Sequence, residues 1–255
     1  MMKKTFGCCV AIFLLACVSA AWGAATREQT YVVGADVNSQ GQVTQTQVDA
    51  DVSKGVASFL DLALKQWQFV PPQQNGVAEA VHTFVKVKLE VIPGDAGKYT
   101  LRLSYMRHGP KWDDRPPAYP RDAVRGGTTG MIMLFARMDK DGRFTVNDTR
   151  SVLANRSPWY SLEKEARRWL TRLHAIPETV NGLPVGADAR VFVNFRLGEV
   201  GSKNVSTSDV PFSSDERQLL LDAGFKPPFS KDVFHPHPVT SVLQTRVINP
   251  VTMHL

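Results

Sequence analysis

The chain has 255 residues, of which 43% are hydrophobic and 21% charged, and carries a formal net charge of +6 with 3 cysteines. Its Arg and Lys residues are scattered among acids and never run in blocks, the pattern of a solvated surface, which argues against a nucleic-acid partner. The length suffices for about two small domains with their own cores.

Lys3 and Lys4 form a basic n-region, and the stretch from Phe6 to Ala21 carries no charge. Small residues follow, so residues 1–23 read as a secretory signal peptide cleaved before Ala24. The apolar stretch is short for a membrane span, which needs about 20 residues. A second reading is a lipobox at Leu14-Leu15-Ala16-Cys17, with Cys17 lipidated, although Leu15 is not the favoured residue type there. A single uncleaved anchor is a third. Cys8, Cys9 and Cys17 all lie in this segment, so the exported part relies on its core rather than on disulfides.

From Tyr31 the chain runs YVVGADVNSQGQVTQTQV, two alternating stretches around a turn that ends at Gly41. From Met131 it runs MIMLFARMDKDGRFTVNDTRSV, the same plan with its turn ending at Gly142. Asn, Asp and Gly between alternating stretches predict β-hairpins. A helix is predicted after each. Phe59, Leu60, Ala63, Leu64 and Trp67 share one helical face, as do Leu162, Ala166, Trp169, Leu170 and Leu173. Pro71-Pro72 and Pro177 are expected to end these helices.

The loops PPQQNG (71–76) and PETVNG (177–182) match in spacing. Alternating strands come next, with Val85, Val87, Leu89 and Val91 on one face in the first, and Val191, Val193, Phe195 and Leu197 in the second. The fold class is therefore α+β, two tandem β-hairpin–helix–strand units with antiparallel sheets. The units span 24–106 and 116–200, with a connector at 107–115 and a C-terminal extension at 201–255. Tyr99–Tyr105 adds a strand to the first unit. In the extension, Ser213 and Glu216 predict a capping box for a helix closed by Gly224. Prolines 227, 228, 236 and 238 argue against regular structure beyond it, and Val239–Ile248 reads as a further strand.

The stretch from Pro116 to Val152 resembles the opening of a TonB C-terminal domain: a Tyr-Pro pair (Tyr119-Pro120), a short helix near Arg121–Arg125, Gly130, a strand, an Asp-Gly turn and a second strand. Residues 116–197 follow the family's full order. The first unit resembles it from the hairpin onward and lacks the Tyr-Pro opening, although its Trp67-Gln68-Phe69-Val70-Pro71 fits the family's helix-ending pattern. What the resemblance implies is a periplasmic module of a Gram-negative envelope that binds a protein by strand addition. The implied partner is a TonB-dependent outer-membrane receptor, met at an edge around Arg190, Val191, Val193 and Phe195 with Tyr119 and Pro120 beside it. Strand addition works because an edge presents unpaired N–H and C=O groups. The chain departs from a transducer in having no proline-rich spacer and no polar, histidine-bearing face in its apolar segment.

Other constellations weigh little. Phe234-His235-Pro236-His237-Pro238 offers two histidines where zinc wants three or four ligands. Asp139-x-Asp141-Gly142 resembles the start of a calcium loop but lacks the closing glutamate. Asp113-Asp114 and Glu163/Glu165 are adjacent acids best read as solvated charge. No Gly-x-Ser-x-Gly, Walker or His-Glu-x-x-His pattern occurs. The expectation is a non-enzyme with no cofactor and no metal, touching a membrane only through a lipid anchor. A structural scaffold is the alternative to a binding module, and an extension that covers the edge would favour it.

Overall fold

The computed structural model describes residues 25–94, 97–112, 115–154, 160–197, 212–225, 227, 234–238 and 241–254. The segment expected to be a signal peptide, with Cys17, lies outside the described residues. Strands β1 (Arg27–Val37) and β2 (Val43–Gln47) form the first hairpin, followed by helix α1 (Lys54–Leu64). Next come β3 (Gln68–Val70), the small hairpin β4 (Gln73–Gln74) and β5 (Val77–Ala78), and the long strands β6 (Val81–Pro93) and β7 (Tyr99–Gly109). A short helix α2 (Arg121–Arg125) opens the second half. It leads to the hairpin β8 (Gly130–Met138) and β9 (Phe144–Leu153), then helix α3 (Tyr160–Arg172). β10 (Thr179–Val180), β11 (Leu183–Pro184) and β12 (Ala187–Phe195) follow. The extension contributes α4 (Ser214–Asp222), β13 (Phe234–Pro238), β14 (Gln244–Val247) and β15 (Val251–His254). The class is α+β, and every described strand pair is antiparallel.

The main strands assemble in the orders β7-β6-β1-β2 and β13-β12-β8-β9. The two arrangements share detail as well as order. Val37 pairs with Val43 and Val81, while Met138 pairs with Phe144 and Ala187. In the first turn the Asn38 side-chain oxygen accepts the Gln40 and Gln42 N–H groups at 3.0 and 2.9 Å. In the second, Asp139 accepts those of Asp141 and Arg143 at 2.9 Å each, which gives this residue a turn-building job. The loops after the helices each hold Asn and Gly at positive φ, Asn75-Gly76 and Asn181-Gly182.

Helix α1 buries Phe59, Leu60, Ala63 and Leu64 against the first sheet. It stops at Leu64, earlier than the prolines suggested, because Gln68–Val70 is drawn into pairing with β14. Trp67 therefore stands beyond the helix, where its indole N–H donates to the Asn249 carbonyl at 2.8 Å. Helix α3 buries Leu162, Ala166 and Leu170 against Ile132, Leu134, Val191 and Val193. The second sheet is covered on its other face too. Leu219, Leu220 and Ala223, at or next to α4, pack with Met131, Met133 and Phe192.

Two expectations about the chain's second half are corrected. Residues 107–109 complete β7, Lys111 pairs with Ile176, and Trp112 is buried beside Phe144 at 5.6 Å, so the connector is built into the packing. The proline-rich stretch forms a strand after all. Pro236 and Pro238 lie two apart, so their donorless nitrogens share one side of the strand, and an edge strand tolerates this when that side faces away from its neighbour. The further strand expected within Val239–Ile248 is found at Gln244–Val247, in the first half of the fold rather than on the second sheet. Gln244–Val247 pairs with Gln68–Val70, and Val251–His254 extends the first sheet along β7.

Candidate functional site

The edge expected to bind a partner is strand β12. Val191, Val193 and Phe195 are each 3% exposed or less, because every second residue of β12 points at α3. Tyr119 is half-buried against them, its ring 5.3 Å from that of Phe195, and its hydroxyl donates to the Thr128 carbonyl at 2.5 Å. Pro120 caps the N-terminus of α2. The Arg190 guanidinium donates to the carbonyl of Ala223, the C-terminal cap of α4, where a cation also meets the negative end of the helix dipole. The structure thus brings Tyr119, Val191, Val193 and Phe195 together as core, and gives Arg190 to the extension.

The backbone edge of β12 is occupied. β13 pairs with it from Ala189↔Pro238 to Val193↔Phe234, in the place that β7 takes beside β6. Two polar devices flank this strand. On the α4 side, the Arg196 guanidinium donates to both Glu216 oxygens at 2.7 and 2.6 Å, and Glu216 closes the capping box with Ser213. On the other side Glu178, 1% exposed, accepts from the Thr83 hydroxyl (2.6 Å), the Ser241 hydroxyl (2.9 Å) and the Val242 N–H (3.1 Å). One carboxyl group therefore ties β6, the loop after α3 and the extension together.

A buried histidine completes this junction. The Leu243 carbonyl can only accept, so the proton of His108 sits on Nε2, which donates to it at 3.1 Å. Nδ1 then accepts from the Tyr105 hydroxyl at 2.6 Å. Burial pushes Tyr105 up to about 12, keeping it a donor. Burial also lowers His108 from its ordinary value, an effect opposed by the Leu243 carbonyl and by Glu178. A lowered folded pKa means that the unfolded chain binds the proton more readily. The stabilisation is full above the ordinary histidine value of about 6.5 and declines as pH falls below it. Urea midpoints of the wild type should therefore fall between pH 7.5 and about 5, and the His108→Gln variant should show a shallower fall. Parallel curves would remove His108 from the account.

A cleft of about 530 Å³ lies between β1 and the loop before α1, lined among others by Tyr31, Asp49, Asp51 and Lys111. Lys111 pairs with Asp49 at 3.1 Å, and burial followed by Asp51 raises the Tyr31 phenol. Lys111 thus offsets Asp49, while Asp51 leaves the charged groups of this cleft with one net negative charge. Among the described residues no three His, Cys, Asp or Glu side chains come together as a metal site would require. No helix of the described residues is long and apolar enough to cross a membrane.

No family model matches the chain, and no curated protein matches it. Glu178, His108 and Arg196 were not singled out from the sequence, and Glu216 was read there only as the closing residue of a helix cap. Glu178 had one signal: it stands in PETVNG where the matching PPQQNG has Pro72, a carboxyl replacing a ring in an otherwise equivalent loop.

Proposed function

We propose that this chain is a non-catalytic protein of the Gram-negative envelope, two tandem TonB-C-like units fastened by their own C-terminal extension, acting as a scaffold rather than an energy transducer. The observation that carries this reading is the seat of β13 on β12. Strand addition needs unpaired backbone groups, and at Ala189–Val193 those groups already face a neighbour. The matching turns and registers support the tandem reading, and the Tyr119-Pro120 opening before α2 supports the TonB-C likeness. Export rests on the basic and apolar order of residues 3–25, and partners are then other envelope proteins.

The test is genetic. Deleting the gene should leave energy-dependent uptake through outer-membrane receptors at its wild-type level while raising sensitivity to detergent. A loss of uptake restored by the plasmid-borne chain would overturn the scaffold reading in favour of a transducer.

A further inference from the structure

The two units allow the demands of the fold to be subtracted. The Phe69 N–H donates to the Gly41 carbonyl and the Ala175 N–H to that of Gly142, so these residues mark the same point in each unit. Counted back from them, the buried Leu60 and Leu64 of α1 fall on the buried Ala166 and Leu170 of α3. A contact to the hairpin is kept with its charge reversed: the Thr46 hydroxyl donates to Asp61 at 2.7 Å, and the Thr149 hydroxyl accepts from Arg167 at 2.5 Å. The outer face is not kept. Ser58, Leu62 and Gln66 fall on Lys164, Arg168 and Arg172, all exposed and about one helical turn apart. This row spans about 12 Å opposite Leu162, Ala166 and Leu170, which face the core, while Glu163 and Glu165 lie half-buried at its sides. Among the described residues none of its cations has an ion-pair partner, whereas Lys65, Lys88, Arg102, Arg137 and Arg196 elsewhere are paired. Like charges at i, i+4 weaken a helix, and the helix dipole accounts only for Arg172, in the last turn. The helix carries the row at a cost, and α1 shows that the fold does not require it.

We propose that the outer face of α3 is a membrane-docking surface, which seats the folded protein on anionic phospholipid headgroups. The face is convex and its charges stand in one row, a shape suited to a flat layer of phosphates that draw guanidinium and ammonium groups. Helix α2 packs beside α3 and adds the exposed Arg121 and Arg125, with Val124, 47% exposed, between them in the chain. Cations around an apolar residue are what an interfacial seat carries. This goes beyond the scaffold reading: it gives one unit a lipid contact that the other lacks, independent of any lipid anchor.

The exported chain, residues 24–255, is co-sedimented with vesicles of phosphatidylglycerol and phosphatidylcholine in equal parts, and with vesicles of phosphatidylcholine alone. The wild type should bind only the anionic vesicles and be released by salt, which screens such contacts. Each cation beside an anionic surface is worth about fivefold in partitioning, so Lys164→Gln, Arg168→Gln and Arg172→Gln together should lower it roughly a hundredfold. Lys54→Gln, Lys98→Gln and Arg246→Gln remove the same charge from exposed positions in the first half of the fold and in the extension, and should lower it less than about threefold. Equal loss in both triple variants overturns the proposal. So does a lack of binding to anionic vesicles, which would leave an acidic protein as the partner of this face. Should circular dichroism show the α3 variant unfolded, a polarity-sensitive dye decides, since residues 24–255 contain no cysteine. Dye on Thr171→Cys should shift its emission to the blue with anionic vesicles while dye on Gln66→Cys stays unchanged; equal shifts, or none, refute docking by α3.

Discussion

Replacing Glu178 by alanine should lower the unfolding free energy by about 2–4 kcal/mol, because it strands buried donors that only this side chain satisfies. Among the described residues the Thr83 hydroxyl and the Val242 N–H have no other acceptor, and water has little access to a group 1% exposed. Part of the loss is returned, since the variant no longer buries a carboxyl group. The effect should be local before it is global. Leu243 is buried in the first core, and Val242, Ile248, Val251 and Met253 pack around it. Ser241 also accepts the Leu243 N–H at 3.2 Å, so losing Glu178 frees the turn that sets Leu243 in place. Hydrogen exchange of Val242 and Leu243 should accelerate while that of Val191 and Val193 stays slow. Glu178→Gln keeps an acceptor oxygen and the side-chain volume, and should cost about half as much. If both variants unfold at the wild-type urea concentration, the clasp contributes nothing.

The hairpins, both long helices and the strands after them were legible because their signals are local. Asn, Asp and Gly at the turns, apolar residues at helical spacing on 59–64 and 162–170, and strict alternation at 85–91 each act within a few residues. What escaped is non-local. Whether β12 is an edge depends on a segment some forty residues later, and prolines at 236 and 238 argued against a strand there. They fit because proline is excluded from the middle of a sheet but not from its margin. The second covered face did leave a trace. Val191-Phe192-Val193 and Met131-Ile132-Met133-Leu134 are apolar at consecutive positions, the composition of strands buried on both sides. Read so, they called for a cover besides α3, and α4 supplies it. The Glu178 clasp left only the exchange of Pro72 for a carboxyl group between the matching loops, since a buried carboxyl group and a solvated one read alike until their donors are placed.

Gly142→Ala and Gly41→Ala should both be severely destabilising, by several kcal/mol each, and by nearly the same amount; strain at such backbone positions alone costs about 1–3 kcal/mol. Both glycines take φ of +82°. A Cβ at Gly142 would collide with the Ala175 carbonyl oxygen, and one at Gly41 with that of Phe69. Neither neighbour can yield, because the Ala175 N–H donates to the Gly142 carbonyl at 2.9 Å and the Phe69 N–H to that of Gly41 at 2.8 Å. The chain after each helix is thus laid directly on the hairpin turn, with side chains excluded from the crossing. Gly76 and Gly182 provide the controls. Their φ values are +79° and +78°, but a Cβ at either meets nothing within 4 Å. Alanine there should cost only the left-handed penalty, about 1–2 kcal/mol. Urea unfolding of the four variants separates the two causes, since the first pair adds a steric term to a strain that all four share. Equal costs across all four would mean that the crossings relax. A large cost at Gly142 with a small one at Gly41 would mean that the two turns, alike in φ and hydrogen bonding, are not equivalent in energy.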